Sequence, residues 1–323
     1  MTKLRTILLG VAGLLLTLTV PAGAADDYPN RPVRLIIPFP PGGSNDVVGR
    51  LVAIQLGERL GKQIIVDNRG GAGGTIGTDA VARATPDGYT LGVISIAHTV
   101  SPALYKLNYD PLKSFTPVSI LASGPNVLAV NPEFPPKSVK ELIALAKQKP
   151  GEIHYASAGV GSFQHLSGEL FRLMSGINVV HVPFKGGGPS MIDVIGGHTK
   201  YLLSSLIQTT PHIKSGKLRA LATSGSKRNP AMPDLPTIAE AGVPGYEAAN
   251  WWGIVAPAGT PAPIVAKLHN EIAAVLGSEE TKKRFASQGA SVVEMGSDEF
   301  WKFAAAELTK WGKVVKEAGI KPG

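Results

Sequence analysis

The sequence predicts an α/β protein built as two lobes. Three observations lead there. Short apolar runs alternate with stretches of helical spacing along the chain, several of the runs end in glycine-rich turns, and 323 residues suffice for two cores at roughly 150 residues each. The 38 glycines and 26 prolines exceed the usual background without reaching the level of a low-complexity chain, as a fold of short elements and tight turns requires. Cysteine is absent, which excludes a disulfide scaffold and thiolate-held zinc or iron–sulfur sites.

The elements begin after a leader. Lys3 and Arg5 precede an apolar run from Ile7 to Val20, and Pro21-Ala22-Gly23-Ala24 ends in small residues at the spacing a signal peptidase reads. That run spans about 21 Å as a helix, short of the roughly 30 Å hydrocarbon core, so residues 1–24 read as a cleaved signal peptide and not as an anchor. A lipid-modified leader needs a cysteine that the chain lacks. The leader holds two bases and no acid, so 32 Lys plus Arg become 30 against 24 Asp plus Glu, and the net charge falls from +8 to +6. The bases are scattered and no basic–aromatic stripe accompanies them, which argues against nucleic acid and leaves a mild preference for small anions.

Pro32 to Phe39 is a compact apolar run, read as a buried strand, and it stops at Pro40-Pro41-Gly42-Gly43. Ser44 to Leu60 has helical spacing with Ser44 or Asn45 as its N-cap. Gln63 to Asp67 is a second strand, Gly77 to Arg83 a short helix, and the Asp87-Gly88 turn feeds a strand from Tyr89 to Ile96. This βαβαβ alternation predicts a parallel sheet covered on both faces. The rhythm restarts with strands at 127–130, 153–156, 179–182, 201–205 and 218–223, and with helices at 138–149, 162–175 and 187–195. The tail adds a strand at 253–256, a helix at 261–276 with proline in its first turn, and a helix from Ser297 to about Ala318. Phe300, Phe303, Ala304, Leu308, Trp311 and Val315 form the packing stripe of that last helix.

Two loops stand out. Pro38-Phe39-Pro40-Pro41-Gly42-Gly43-Ser44-Asn45-Asp46 joins a strand end to a helix start, where glycine lets backbone approach a ligand and free N–H groups attract an anion. The plainer reading is a tight turn with Asp46 as a first-turn partner of the helix dipole. Tyr155-Ala156-Ser157-Ala158-Gly159-Val160-Gly161-Ser162-Phe163-Gln164-His165 has the same form, with Ser162 as the cap. In separate lobes the two loops would face each other across a cleft, as ligand loops do at strand ends of open α/β sheets. His165 by itself reads as a structural hydrogen-bonder before it reads as a base. Catalytic signatures fail: there is no dinucleotide loop with its third glycine, no phosphate-binding lysine loop, no nucleophile elbow and no H-E-x-x-H. The seven histidines are dispersed and offer no metal pair, and acid pairs such as Glu279-Glu280 and Asp298-Glu299 sit at polar helix starts. No metal, cofactor or catalytic residue is assigned.

Taken together, several of these segments resemble a known family. Ile36-Ile37-Pro38-Phe39-Pro40-Pro41-Gly42-Gly43-Ser44-Asn45-Asp46, Asp67-Asn68-Arg69-Gly70-Gly71-Ala72-Gly73-Gly74, Pro86-Asp87-Gly88-Tyr89-Thr90-Leu91, His181-Val182-Pro183-Phe184-Lys185-Gly186 and Trp251-Trp252-Gly253-Ile254-Val255-Ala256-Pro257 follow one another, with the second glycine loop between, as in the Bug/TctC solute receptors of tripartite tricarboxylate transporters. The resemblance covers essentially the whole mature chain. It implies a periplasmic two-lobe Venus flytrap clamshell, each lobe a mostly parallel sheet flanked by helices, closing on a small carboxylate in the inter-lobe cleft. Carried over by position, it implies ligand contacts from Phe39, Gly43, Ser44 and Asp46 in the first loop and Ala158, Gly159, Ser162 and His165 in the second. Tyr28 and Thr99 are candidate wall positions, and Trp251 is either a hinge or a core residue.

One stretch departs from the family pattern. After Gly196-Gly197-His198 the family commonly places two acids four residues apart, where this chain has Lys200 and Ser204. With those carboxylates gone, an ammonium loses its partner, so the expected ligand is a di- or tricarboxylate or an aromatic acid without an amine, with Ser204 as a further contact. The expected division is 26–125 plus 246–323 for lobe one and 126–245 for an inserted lobe two. The implied protein is a monomer that catalyses nothing and hands its carboxylate to membrane transporter subunits. A sensor presenting its closed lobes to a signalling partner, and an enzyme using His165 or Asp46 as base, are the alternatives.

Overall fold

The computed structural model describes residues 27–317 and 319–321; the expected leader lies outside them. The described residues form, in order, β1 (Val33–Ile37), α1 (Ser44–Leu60), β2 (Ile64–Asn68), α2 (Thr75–Ala82), β3 (Thr90–Ser95), α3 (Ile96–Leu104), β4 (Phe115–Val130), α4 (Val139–Gln148), β5 (His154–Ser157), α5 (Phe163–Ser175), β6 (Val180–Pro183), α6 (Gly187–Ile195), β7 (Tyr201–Ser205), α7 (Leu206–Lys214), β8 (Arg219–Thr223), β9 (Ala249–Pro257), α8 (Ala262–Gly277), α9 (Glu279–Ser287), β10 (Ser291–Val292) and α10 (Ser297–Glu317).

Two strand groups define two lobes. In one, β1 pairs in parallel with β2 and β3, and β9 and β4 extend the sheet antiparallel. In the other, β5 pairs in parallel with β6 and β7, and β4 lies antiparallel to β7 and β8. The sheets are therefore more mixed than the alternation alone suggests. A parallel core survives in each lobe, but β4 and β9 join it antiparallel, and periodicity cannot say which direction the partner of a buried strand takes. β4 belongs to both groups: it pairs with β9 as far as Pro125 and with β7 and β8 from Asn126 onward. The crossing is tied by backbone. Asn126 N–H donates to Ser224 Oγ at 2.7 Å, Ser224 N–H to Asn126 O at 2.8 Å, and Ala248 N–H to Ser224 O at 2.8 Å.

Helix ends follow local chemistry. Ser138 caps α4 by accepting from Glu141 N–H, while the Glu141 carboxylate reaches back past the cap to accept from Lys137 N–H. Ser162 caps α5 by accepting from His165 N–H at 3.3 Å. α1 differs from expectation by one residue: Gly43 is its N-cap, without a side-chain capping bond, and this frees Ser44 and Asn45 from capping.

The final helix closes the first lobe. Phe300, Ala304, Trp311 and Val315 are buried along it as the stripe predicts, and Phe300 meets Trp251 edge-on at 5.8 Å. Glu307 is buried with them because its Oε2 accepts from the indole N–H of Trp311 at 2.8 Å and of Trp251 at 3.3 Å. Trp251 is thus a core residue. Phe300→Ala should cost about 3–5 kcal/mol, read as a lower midpoint in chemical denaturation with an unchanged slope.

Candidate ligand-binding site

Where the two lobes meet they leave a narrow cleft lined by Phe39, Gly43, Ser44, Asn45, Ser95, Ala97, Ala158, Ser162, Phe163, Gln164, Gly187, Ser205, Gln208 and Asn250. The starts of five helices contribute: α1, α3, α5, α6 and α7. Each helix start carries roughly half a positive charge and N–H groups without intrahelical partners. α1, α3, α6 and α7 have no side-chain capping bond, so these donors remain for an incoming acceptor. Among the described residues no charged side chain lines the cavity. An anion there is met by dipoles and amides rather than by a cation.

The lobes touch through glycine. A Cβ placed on Gly42 would lie 3.6 Å from Gly188 Cα, one on Gly43 3.6 Å from Gly187 N, and one on Gly188 only 2.7 Å from Pro41 O. Gly42 at φ +84°, Gly159 at φ +114° and Gly161 at φ +77° hold the left-handed turns that bend the two loops toward each other.

Among the residues expected from the sequence, Phe39, Gly43, Ser44, Ala158 and Ser162 line the cavity. Asp46, Gly159, His165 and Ser204 stand behind its wall. The Asp46 carboxylate accepts from Gly42 N–H at 3.0 Å, Arg50 Nε at 2.8 Å and Asn68 Nδ2 at 2.9 Å, while the same Asn68 amide donates to Phe39 O. Burial opposes ionisation of Asp46, but the hydrogen bonds from Arg50, Gly42 and Asn68 prevail and hold its carboxyl below the usual range. Asp46 shapes the first loop. Gly159 N–H donates to Ser157 Oγ at 3.1 Å. Tyr28 donates to Gly88 O and Thr99 to Ile96 O, both away from the cavity lining, and Lys200 Nζ donates to Gly197 O at 2.8 Å.

His165 supports the second loop from behind. Its Nδ1 accepts from Gly161 N–H at 3.3 Å, so the ring is neutral with its proton on Nε2, and it stacks on His181 with centroids 4.1 Å apart. His181 Nε2 lies 2.6 Å from Ser157 Oγ. Tyr155 stacks on the other side, donating its hydroxyl to Glu169, which Arg172 pairs at 2.8 Å. Burial pushes both imidazoles down, with His165 adding to the effect on His181, which falls to about 3; Glu169 pulls the other way on both.

Asn45, Phe163 and Gln164 lie within the two loops singled out from the sequence, whereas Ser95, Ala97, Gly187, Ser205, Gln208 and Asn250 carry no direct sign there as lining residues. Ser95 and Ser205 carry a faint one: each closes an apolar strand and immediately caps a helix with no turn between.

A two-lobe α/β fold with a cleft at the crossing lined by helix starts is that of a clamshell solute-binding protein. A sequence model of the tripartite tricarboxylate transporter family receptor (TctC) matches residues 48–320, and the chain belongs to that family. It is 40% identical to the protein BugT of Bordetella pertussis over 321 residues, 98% of each chain. Among solved structures, the R. palustris protein Rpa4515 with adipate superposes with a TM-score of 0.89 at 39% identity, over 92% of this chain and 100% of that one. MatC from Rhodopseudomonas palustris with bound malate gives 0.84 at 35% identity, over 89% and 100%.

The histidine pair generates a prediction. A base whose folded pKa lies below its unfolded value near 6.5 binds its proton more readily in the unfolded chain, so stability rises with pH across that window and is lost as pH falls. The melting temperature should therefore drop from pH 6.5 toward pH 4. His98, buried and pushed down to about 4, adds to the same loss, so the specific readout is the difference. His181→Asn should give a shallower fall than the parent chain in melting curves taken across that range.

Proposed function

We propose that this chain is a periplasmic binding protein that captures a small carboxylate without an amine and delivers it to the membrane subunits of a tripartite tricarboxylate transporter. The observation that carries this reading is the inter-lobe cleft ringed by five helix starts with no charged side chain in its lining. Backbone N–H groups and amides suit carboxylate oxygens. No carboxylate among the lining residues is placed to pair an ammonium, since Asp46 is already engaged by Arg50, Gly42 and Asn68. The relatives solved with adipate and malate support the ligand class, and the family description supports the transporter.

In this reading residues 1–24 direct export, and the mature protein works as a monomer of two lobes, 26–125 with 246–323 and 126–245. The change of partners along β4 at Pro125 and Asn126 supports that boundary on the outgoing strand. Phe39, Gly43, Ser44, Ala158 and Ser162 contact the carboxylate, while Asp46, Gly159, His165 and Ser204 hold the contacting groups in place. Closure brings the helix starts of both lobes onto one ligand.

Native mass spectrometry of the protein as purified should reveal a retained small acid, recovered chemically unchanged. In thermal-shift assays adipate or malate should raise the melting temperature, and lysine should not. An amine as the retained ligand, or a chemically altered acid, would overturn the reading. Gly188→Ala tests closure: the new Cβ meets Pro41 O only when the lobes are shut, so the ligand-free melting temperature should hold while the adipate- or malate-induced shift is lost.

A further inference from the structure

Four buried side chains, two in the cavity wall and two behind it, form a single chain of hydrogen bonds. Ser190 Oγ lies 3.1 Å from Gln164 Oε1, Gln164 Nε2 2.9 Å from Ser204 Oγ, and the Gln208 amide 2.6 Å from the same Ser204 Oγ. Ser190 and Ser204 are fully buried, and Gln164 and Gln208 nearly so. The two heads of an amide are alike in shape, and their partners decide which is oxygen and which nitrogen. With Nε2 of Gln208 turned to Ser204, the hydroxyl receives two N–H groups and Gln208 Oε1 is buried without a partner. A separation of 2.6 Å is short for N–H···O and ordinary for O–H···O.

Resting on the carboxylate reading above, we propose that the chain runs in one direction: Ser190 O–H to Gln164 Oε1, Gln164 Nε2–H to Ser204 Oγ, Ser204 O–H to Gln208 Oε1, and Gln208 Nε2–H into the cavity. Gln208 is then the side chain that selects an anionic over a cationic group at its end of the ligand, and Ser204 is the positioning residue that sets its polarity. Each donor in such a series strengthens the next. Gly187 leaves the room: a Cβ there would lie within 3.0 Å of the amide heads of both Gln208 and Gln164. On the opposite lobe Gly43 faces the same head, its own Cβ position 3.9 Å from Gln208 Oε1. The reverse order, with Ser204 donating to Gln164 and Ser190 to Gly187 O at 3.0 Å, leaves the Gln208 oxygen facing the cavity and would select a donor.

A carboxylate at 204 can only accept, so Ser204→Asp must draw both amide nitrogens to itself and turn Gln208 Oε1 toward the ligand. Malate and aspartate differ only in hydroxyl against ammonium at one carbon and probe this reversal. By calorimetry the parent chain should favour malate, and Ser204→Asp should shift the ratio of the two affinities toward aspartate by at least about tenfold. Ser204→Ala should weaken malate binding and Ser204→Thr, which keeps the hydroxyl, should recover most of it; this pair decides the matter if the aspartate variant does not fold. An unchanged ratio in folded Ser204→Asp, or equal affinities in the Ala and Thr variants, overturns the relay. Neutron diffraction on the ligand-free protein reads it without any ligand: deuterium on the cavity-facing head of Gln208 is expected, and a bare oxygen there refutes the proposal. If neither acid binds the parent chain, the malate reading fails, while the neutron map still decides the direction of the relay.

Discussion

Positive ends of helices do not tolerate one another. Five of them converge on one small cavity here, each with roughly half a unit charge and free donors. Much of the local structure serves to hold that arrangement. The strands β3 and β7 run straight into α3 and α7, so these helix starts are fixed by sheets and not by loops. The glycine loops bring α1, α5 and α6 to the same point, and side chains behind them lock the loops: Asp46 through Gly42, Arg50 and Asn68 on one lobe, the stacked His165 and His181 on the other. A cavity built this way is stable only when something negative, or water, answers the donors.

The same constraint explains why the cavity can do without a cationic side chain. An arginine fork would grip a carboxylate from one lobe whether or not the other had closed. Helix starts divided between lobes act differently. α1 and α3 belong to one side, and α5, α6 and α7 to the other, so a ligand meets the full set only in the closed form. The differential contact between open and closed states is the quantity that lets a ligand shift that equilibrium. Small residues at the seam set how near the two halves come: Gly42 opposite Gly188 and Gly43 opposite Gly187 leave backbone against backbone.

Much of the fold was legible because burial writes a period into sequence. β1, α1, β2, β3, α5, α6 and β7 fall within two residues of where apolar spacing and turn residues put them. The misses share a cause. α3 and α7 start without any turn after a strand and contain Pro102 and Pro211, so a rule that looks for glycine before a helix and bars proline within it passes over both. The first half of β4, from Phe115 to Asn126, holds Pro117, Gly124 and Pro125 and reads as loop. It persists as strand because β9 pairs along it with register shifts that absorb the irregular residues. Periodicity reports burial against a neighbour, and a strand that changes neighbours midway carries two patterns spliced together.

For the site, the sequence points to the right loops but not to the right layer. Charge and aromatic nitrogen draw attention to Asp46 and His165, yet a buried carboxylate beside an arginine and a neutral imidazole on a backbone N–H are what rigid loops need behind them. The groups facing the cavity are the quieter ones, Asn45, Gln164, Gln208 and Asn250, whose amides have no spacing rule and become meaningful only when four elements distant in sequence meet. Two of those amide oxygens, on Asn45 and Asn250, are buried without a partner, and that of Gln208 finds one only when Ser204 donates to it. Amides can rotate to offer either head, so such a set matches its polarity to the ligand at little cost where nothing fixes it. What distinguishes Gln208 from Asn45 and Asn250 is a serine on its other side, so that specificity at this end of the cavity is decided by a hydroxyl that touches no ligand.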